Sequence, residues 1–219
     1  MYNVKSKEYF TNVRHDLIAA LKNKNFNNVL ELGAGGCDTL VYMKQEGLAK
    51  TVTGIDLMDI PGSNQQNNLI DKLIVGNLEN ENILNLPSNN YDLVICGDIL
   101  EHLINPWETL KKVHSLVKEN GIIISSVPNI REFQALIKIF FKGDFKYNEQ
   151  GGILDKTHLR FFCKKNLEDL FSDAGFRIEQ IAPAFLYSRE KSERRVLNKI
   201  TFGLFEGLLA FQYIIIASK

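Results

Sequence analysis

Cysteine is scarce and unclustered: Cys37, Cys96 and Cys163 are the three in 219 residues, and no Cys-x-x-Cys pair exists. That sets aside a structural zinc site or a disulfide framework, both of which need thiols at paired spacings. An excess of one charge is also missing, since 26 Lys and Arg face 26 Asp and Glu. A neutral chain lacks the basic footprint of a general nucleic-acid binder and of a polybasic membrane-surface protein. No apolar run reaches the ~20 residues that a membrane-spanning helix needs. The most apolar stretch, 207–217, is interrupted by Gln212. The opening residues MYNVKSKEYF lack the apolar core of a signal peptide, so a reducing cytoplasm is the expected compartment. What remains is 45% hydrophobic and 24% charged, ordinary for a soluble globular domain and enough for a sizeable core.

The pattern along the chain alternates apolar strands with amphipathic helices. Tyr9, Val13, Leu17 and Leu21 predict an N-terminal helix over 5–24. Strands are expected at 28–32, 51–56, 72–75, 91–96 and 122–127. A helix of about 39–46 follows the first strand, with Asp38 as its cap. Another follows Pro106 and stops at Asn120-Gly121. Near-continuous apolar strands separated by helices indicate a parallel sheet buried on both faces. The expected class is therefore α/β: a Rossmann-like, doubly wound, seven-stranded, mostly parallel sheet, completed by strands at 176–182 and 211–217 after a helix at 166–175. We divide this single expected domain into an N-terminal helix (1–27), a cofactor-binding core (28–129), an insertion after strand 5 (130–165), and a C-terminal helix with strands (166–219). Residues 133–141 form an apolar helical stripe read chiefly as core or lid packing, with contact to a lipid-linked acceptor as the other reading.

The first strand ends Glu31-Leu32-Gly33-Ala34-Gly35-Gly36, and Asp56 ends the second. Glycines at a strand's carboxyl end let backbone approach a ligand, and such edges are where doubly wound sheets bind. A carboxylate at the next strand end accepts both hydroxyls of a ribose. NAD and S-adenosylmethionine are the competing cofactors. The dinucleotide fingerprint would place its third glycine at position 38, which is Asp38 and would repel a pyrophosphate. Glu31 beside the loop suits the cationic S-adenosylmethionine, or it pins the loop through backbone N–H groups.

The segments VLELGAGGCDTL, TVTGIDL, YDLVICGDILEHLINPW and GIIISSVPN resemble the successive motifs of class I S-adenosylmethionine-dependent methyltransferases. GGILDKTHLRFFCKKNLEDLFSDAGF resembles a bacterial group associated with surface-polysaccharide assembly and related to ubiquinone-biosynthesis O-methyltransferases. The resemblance implies that Glu31, Gly33 and Gly35 line the methionine portion. It places Asp56 on the ribose, Leu57 on the adenine, and Asn77 and Leu78 beside the adenine amino group. Asn77 replaces the family's usual Asp, and Cys37 stands where its third glycine falls. In the ubiquinone-related enzymes, positions matching Asp98, Glu101 and His102 can carry a divalent metal; no metal is assigned to this chain from sequence.

Methyl transfer to a hydroxyl needs alignment and a base. His102, in Asp98-Ile99-Leu100-Glu101-His102, and His158, in Asp155-Lys156-Thr157-His158-Leu159-Arg160, are the candidate bases, with Asp98 bordering the methionine end. Structural roles are the competing readings: His102 bonding the following loop, and Asp155 with Arg160 forming an ion-pair hub. His15 and His114 are read as ordinary helix residues. Arg189, Lys191, Arg194, Arg195 and Lys199 form a basic run offset by Glu190 and Glu193, read as a solvated helix or as transient contact with a membrane surface. The expected activity is methylation of a hydroxyl on a sugar or glycan precursor. A small phenolic or carboxylate acceptor and a cofactor-binding regulator without turnover are the alternatives. Nothing in the sequence sets an oligomeric state. Glu31, Asp56, Asp98 and Glu101 all fall at one sheet edge, which predicts an acidic cleft facing a more basic acceptor side.

Overall fold

The structure is a computed structural model and describes residues 10–22, 24–80, 82–188 and 193–219. Tyr9, Arg189, Glu190 and Lys191, which entered the expectations above, lie outside the described residues. The strands are β1 Phe26–Leu32, β2 Ala49–Asp56, β3 Lys72–Val75, β4 Tyr91–Gly97, β5 Val117–Pro128, β6 Arg177–Pro183 and β7 Gln212–Ser218. They form one sheet in the order β3-β2-β1-β4-β5-β7-β6. β7 runs antiparallel to both of its neighbours, and the other pairings are parallel. This is the expected doubly wound, mostly parallel α/β architecture.

The helices among the described residues are α1 His15–Ala20, α2 Asp38–Gln45, α3 Pro106–Leu116, α4 Phe133–Leu136, α5 Lys164–Asp173, α6 Glu193–Ile200 and α7 Glu206–Leu209. Alternate strand residues feed two cores. Leu30, Leu32, Val94, Cys96 and Ile123 pack on one face with Leu110 and Val113 of α3 and Leu167 and Phe171 of α5. Val29, Leu93, Ile95 and Ile124 pack on the other with Leu17 and Ile18 of α1 and Leu40 and Met43 of α2. Burial of both pleat faces is why these strands read as unbroken apolar runs rather than alternating ones.

The chain reverses its winding between β1 and β4, the usual place for a ligand crevice. Leu32 pairs with both Ile55 and Cys96, so β1, β2 and β4 finish level. The turns after them therefore gather at one edge.

Several local expectations change. Among the described residues, the expected N-terminal helix is interrupted: α1 covers His15–Ala20, and residues 11–14 are non-helical. Tertiary bonds hold that segment instead, from Gly36 N–H to Phe10 O at 2.7 Å and from Arg14 to Asp98. Cys37, not Asp38, is the cap of α2, and Asp38 sits in its first turn, where a carboxylate favours the helix dipole. Asn120-Gly121 does not stop α3. It lies inside β5, where Asn120 has φ +63° and the pairing with β4 slips between Tyr91 and Leu93, a bulge. The stripe 133–141 is α4 followed by a π-type turn over Ile137–Phe141, and none of those five residues is buried. Phe140 and Phe141 are about four-fifths exposed (82% and 79%), so core packing is overturned there.

Candidate active site

The turn after β1 is shaped by positive φ at Gly33 (+70°), Gly35 (+51°) and Cys37 (+64°). A Cβ on Gly35 would come within 2.6 Å of the Phe10 carbonyl oxygen, and one on Gly33 within 2.9 Å of Ile99. The glycines thus admit the chain's own neighbours at the closest points. Cys37 adopts the left-handed conformation that the third glycine of the motif would take, at the strain cost of a side chain there. Its thiol is fully buried, and burial together with Glu31 pushes it up to about 12. Cys37 is therefore a packing group and not a nucleophile.

Two carboxylates frame this turn. Asp56, at the end of β2, accepts from Gly35 N–H at 2.7 Å and from Met58 N–H at 3.1 Å. Glu31 is buried near the end of β1, with Oε2 lacking any hydrogen-bond partner. Burial pushes the Glu31 carboxyl up to about 8, against the pull of Arg14 and with help from Asp56 and Asp38. A cation placed beside this carboxyl would favour its ionised form. Gln65, also buried, donates to Gly35 O and Met58 O, tying the loop after β2 to the glycine turn.

Asp98 follows β4 with φ +52°. Its Oδ2 accepts from Arg14 Nη1 at 2.7 Å, and Oδ1 meets Ser126 Oγ at 3.2 Å and also the Gln212 amide. Arg14 also holds Asp16 and Ser126. Burial opposes the charge on Arg14, but Asp98 and Asp16 outweigh it and keep the guanidinium ionised. Across the cleft, Asn77 Oδ1 accepts from Glu79 N–H, and the Glu79 carboxylate accepts from the N–H groups of Ile104 and Asn105. That chain of bonds joins the loops after β3 and β4.

One carbonyl fastens the segment after β5 to the turn after β4. Glu101 O accepts from Leu159 N–H at 2.8 Å and from Arg160 N–H at 3.0 Å, which brings His158 beside His102. The two rings lie edge to face with centroids 4.7 Å apart. His102 Nδ1 is 3.1 Å from Thr157 O, and His158 Nδ1 is 2.9 Å from Ile153 O. A carbonyl only accepts, so each Nδ1 carries a proton directed at its carbonyl. His158 Nε2 is 3.9 Å from Glu101 Oε1. Glu101 is 1% exposed, and neither of its carboxylate oxygens has a hydrogen-bond partner. Burial first, then Asp98, raises its carboxyl well above the usual range.

This orphaned acid bears on the metal question. One donor atom each from Glu101, His102 and His158 lies within 4.8 Å of the others, a set that suits a divalent cation. The matching trio from the resemblance contained Asp98, whose carboxylate is here engaged by Arg14 and Gln212. His158 takes its place.

A cleft of about 480 Å³ at the sheet edge brings together Glu31, Gly33, Gly35, Asp56, Leu57, Asn77, Leu78, Asp98, His102 and His158. All ten site residues expected from sequence line it. Arg160 does not; it donates to Ile104 O and lies 5.7 Å over the Trp107 ring, fastening the loop. Asp155 Oδ1 accepts from the Thr157 N–H and hydroxyl. His15 and His114 pack against Tyr42 and Phe176. Phe10, Arg14 and Gln212 line the cleft without having been expected. Only the lone charge in the short segment before α1 hinted at Arg14.

An acidic crevice beside a glycine turn, at the switch point of a sheet whose last strand is reversed, defines a class I S-adenosylmethionine-dependent methyltransferase. The chain belongs to a methyltransferase-domain family, whose model matches residues 6–181. A ubiquinone biosynthesis O-methyltransferase of Coxiella burnetii is 27% identical over 186 residues, spanning 71% of this chain and 75% of that one. A demethylmenaquinone methyltransferase of Staphylococcus epidermidis is 25% identical over 195 residues, 80% of this chain and 78% of that one. Among solved structures, a SAM-dependent methyltransferase from Archaeoglobus fulgidus superposes with a TM-score of 0.64 at 23% identity, covering 97% of each chain.

Proposed function

We propose that this enzyme moves the methyl group of S-adenosylmethionine to a hydroxyl, with a phenolic small molecule as the favoured acceptor. The observation that carries the reading is the imidazole pair, with both rings lining the same cleft as the cofactor-side acids. Glu31 and Arg14 receive the ammonium and carboxylate of the methionine portion, Asp56 the ribose, and Leu57, Asn77 and Leu78 the adenine. Asp98 fixes Arg14. His102, the more exposed of the two rings, takes the acceptor proton as the oxygen attacks the methyl carbon and the carbon–sulfur bond breaks. His158 and Glu101 orient His102 and stabilise the imidazolium. Both relatives above are named for quinone pathways, and Leu103, Ile104, Leu159 and Phe211 add apolar wall to the cleft. A sugar acceptor draws no comparable support.

Glu101, His102 and His158 would also hold a divalent cation, which would lower the pKa of a hydroxyl bound to it. The orphaned Glu101 carboxylate is what favours this second reading.

The test is transfer of labelled methyl to matched panels of phenols and hydroxylated sugars. Turnover on phenols is expected. Turnover confined to sugars would overturn the acceptor assignment, and binding of S-adenosylhomocysteine with no transfer to any acceptor would favour a regulator.

A further inference from the structure

Two segments that pack on neither core meet at the surface through Arg194. The first runs from Arg131 to Tyr147 and exposes Phe140 and Phe141; Phe145 and Tyr147 are also exposed. The second runs from Glu193 to Phe205 and exposes Val196, Ile200, Phe202 and Leu204, with Phe202 97% accessible. No residue of α6 is buried. Arg194 fastens the segments together: it bonds Glu132 at 2.7 Å, lies 5.4 Å over the Phe133 ring, and donates to Leu209 O. Exposed apolar side chains concentrated in two segments that one arginine joins mark an interaction site rather than scattered exposure.

The charges interleaved with these rings point to the occupant. Within 131–147 and 193–206 there are seven cations, Arg131, Lys138, Lys142, Lys146, Arg194, Arg195 and Lys199, against four acids. Two of those acids, Glu132 and Glu206, are already held by Arg194 and Lys164. The chain as a whole is neutral, so the positive excess is local. Exposed aromatic and aliphatic side chains among lysines are the profile of an element lying in the plane of a lipid interface.

We propose that this face docks on the surface of an anionic lipid bilayer, with the rings entering the acyl boundary and the lysines meeting the headgroups. The second segment leads along the chain to the cleft wall. Asn129 holds Gly207 O and Ala210 O, and the next residue, Phe211, is half-exposed and lines the cleft wall. Docking would hold that wall against the membrane. The inference concerns binding alone and stands whichever acceptor is methylated.

Flotation of the full chain with vesicles of phosphatidylcholine, and with vesicles of phosphatidylcholine and phosphatidylglycerol in equal parts, tests it. Binding is expected on the anionic vesicles, falling with added salt and weak on phosphatidylcholine alone. The triple variant F140S/F141S/F202S should lose about tenfold or more in affinity, and K138E/K142E/K199E about a hundredfold. Both triple variants should bind S-adenosylhomocysteine like the wild type, which controls for folding. No binding to anionic vesicles at low salt, or binding unchanged in both variants, would overturn the proposal. So would a stable dimer in sedimentation that the aromatic variant dissociates.

Discussion

Arg14 Nη1 and Asp98 Oδ2 stand 2.7 Å apart across a sequence separation of 84 residues. The pair ties the segment before α1 to the turn after β4 and closes one end of the cofactor cleft. Arg14 is 21% exposed at its side chain and Asp98 40%, so solvent screens the ionic part and the geometry matters more. Arg14→Ala should cost about 1 kcal/mol of stability and weaken S-adenosylhomocysteine by at least about tenfold, as lost bonds to a charged group do. Arg14→Lys should recover charge but not affinity, because one ammonium cannot reproduce the fork that holds Asp98, Asp16 and Ser126 together. Calorimetric titration of both variants checks this.

Glu31 gives the cleft a pH dependence of definite sign. Its folded pKa, about 8, lies above the ordinary 4.5. The folded apoprotein therefore binds this proton more tightly than the unfolded chain does. The stabilisation is complete below about pH 4.5 and is lost as pH rises through about 8. With the cofactor ammonium at Glu31 as proposed, binding would displace the proton, so cofactor affinity should rise from pH 6 towards pH 8, at a limit of about tenfold per unit. Glu31→Gln should flatten both profiles. Titration in buffers of different ionisation enthalpy should detect a proton released by the wild type and none by the variant.

The imidazole pair separates two roles. His102→Ala should lower kcat by about 10²–10⁴-fold with S-adenosylhomocysteine affinity nearly unchanged. Glu101→Gln removes the ionisable group beside His158 and should lower kcat with S-adenosylhomocysteine affinity nearly unchanged. Mg²⁺ or Mn²⁺ should raise the Tm of the wild type and not that of Glu101→Gln or His158→Ala. A Tm shift that persists in those variants would place the cation elsewhere.

Cys37 offers a test of backbone strain. Cys37→Ala keeps the left-handed residue and loses the buried sulfur, whereas Cys37→Gly loses the sulfur but relieves the strain. The glycine variant should be more stable than the alanine variant by about 1 kcal/mol, measured by denaturant unfolding at constant m-value.

The sheet was legible because burial on both faces writes itself as runs such as Val29-Leu30-Glu31-Leu32 and Leu93-Val94-Ile95-Cys96. The acids at the strand ends were legible because a carboxylate at that edge is costly without a ligand or a partner. His158 was found as a residue, but its pairing with His102 depends on Glu101 O holding the segment after β5, a backbone bond with no sequence signature. Arg14 escaped because helical spacing at Val13 and Leu17 suggested a helix where long-range bonds hold a non-helical segment. The exposed Phe140 and Phe141 misled for a related reason: periodicity reports an apolar stripe, not what covers it.

Gly35 carries a lesson for anyone scanning this chain by substitution. The Phe10 carbonyl occupies the room that any larger residue would need. Replacing Gly35 should therefore unseat the strap formed by the front of the chain even with the cleft empty. Intolerance at that position would measure a crossing of two backbones, and counting it as proof of ligand contact would credit the cofactor with a constraint that the protein imposes on itself.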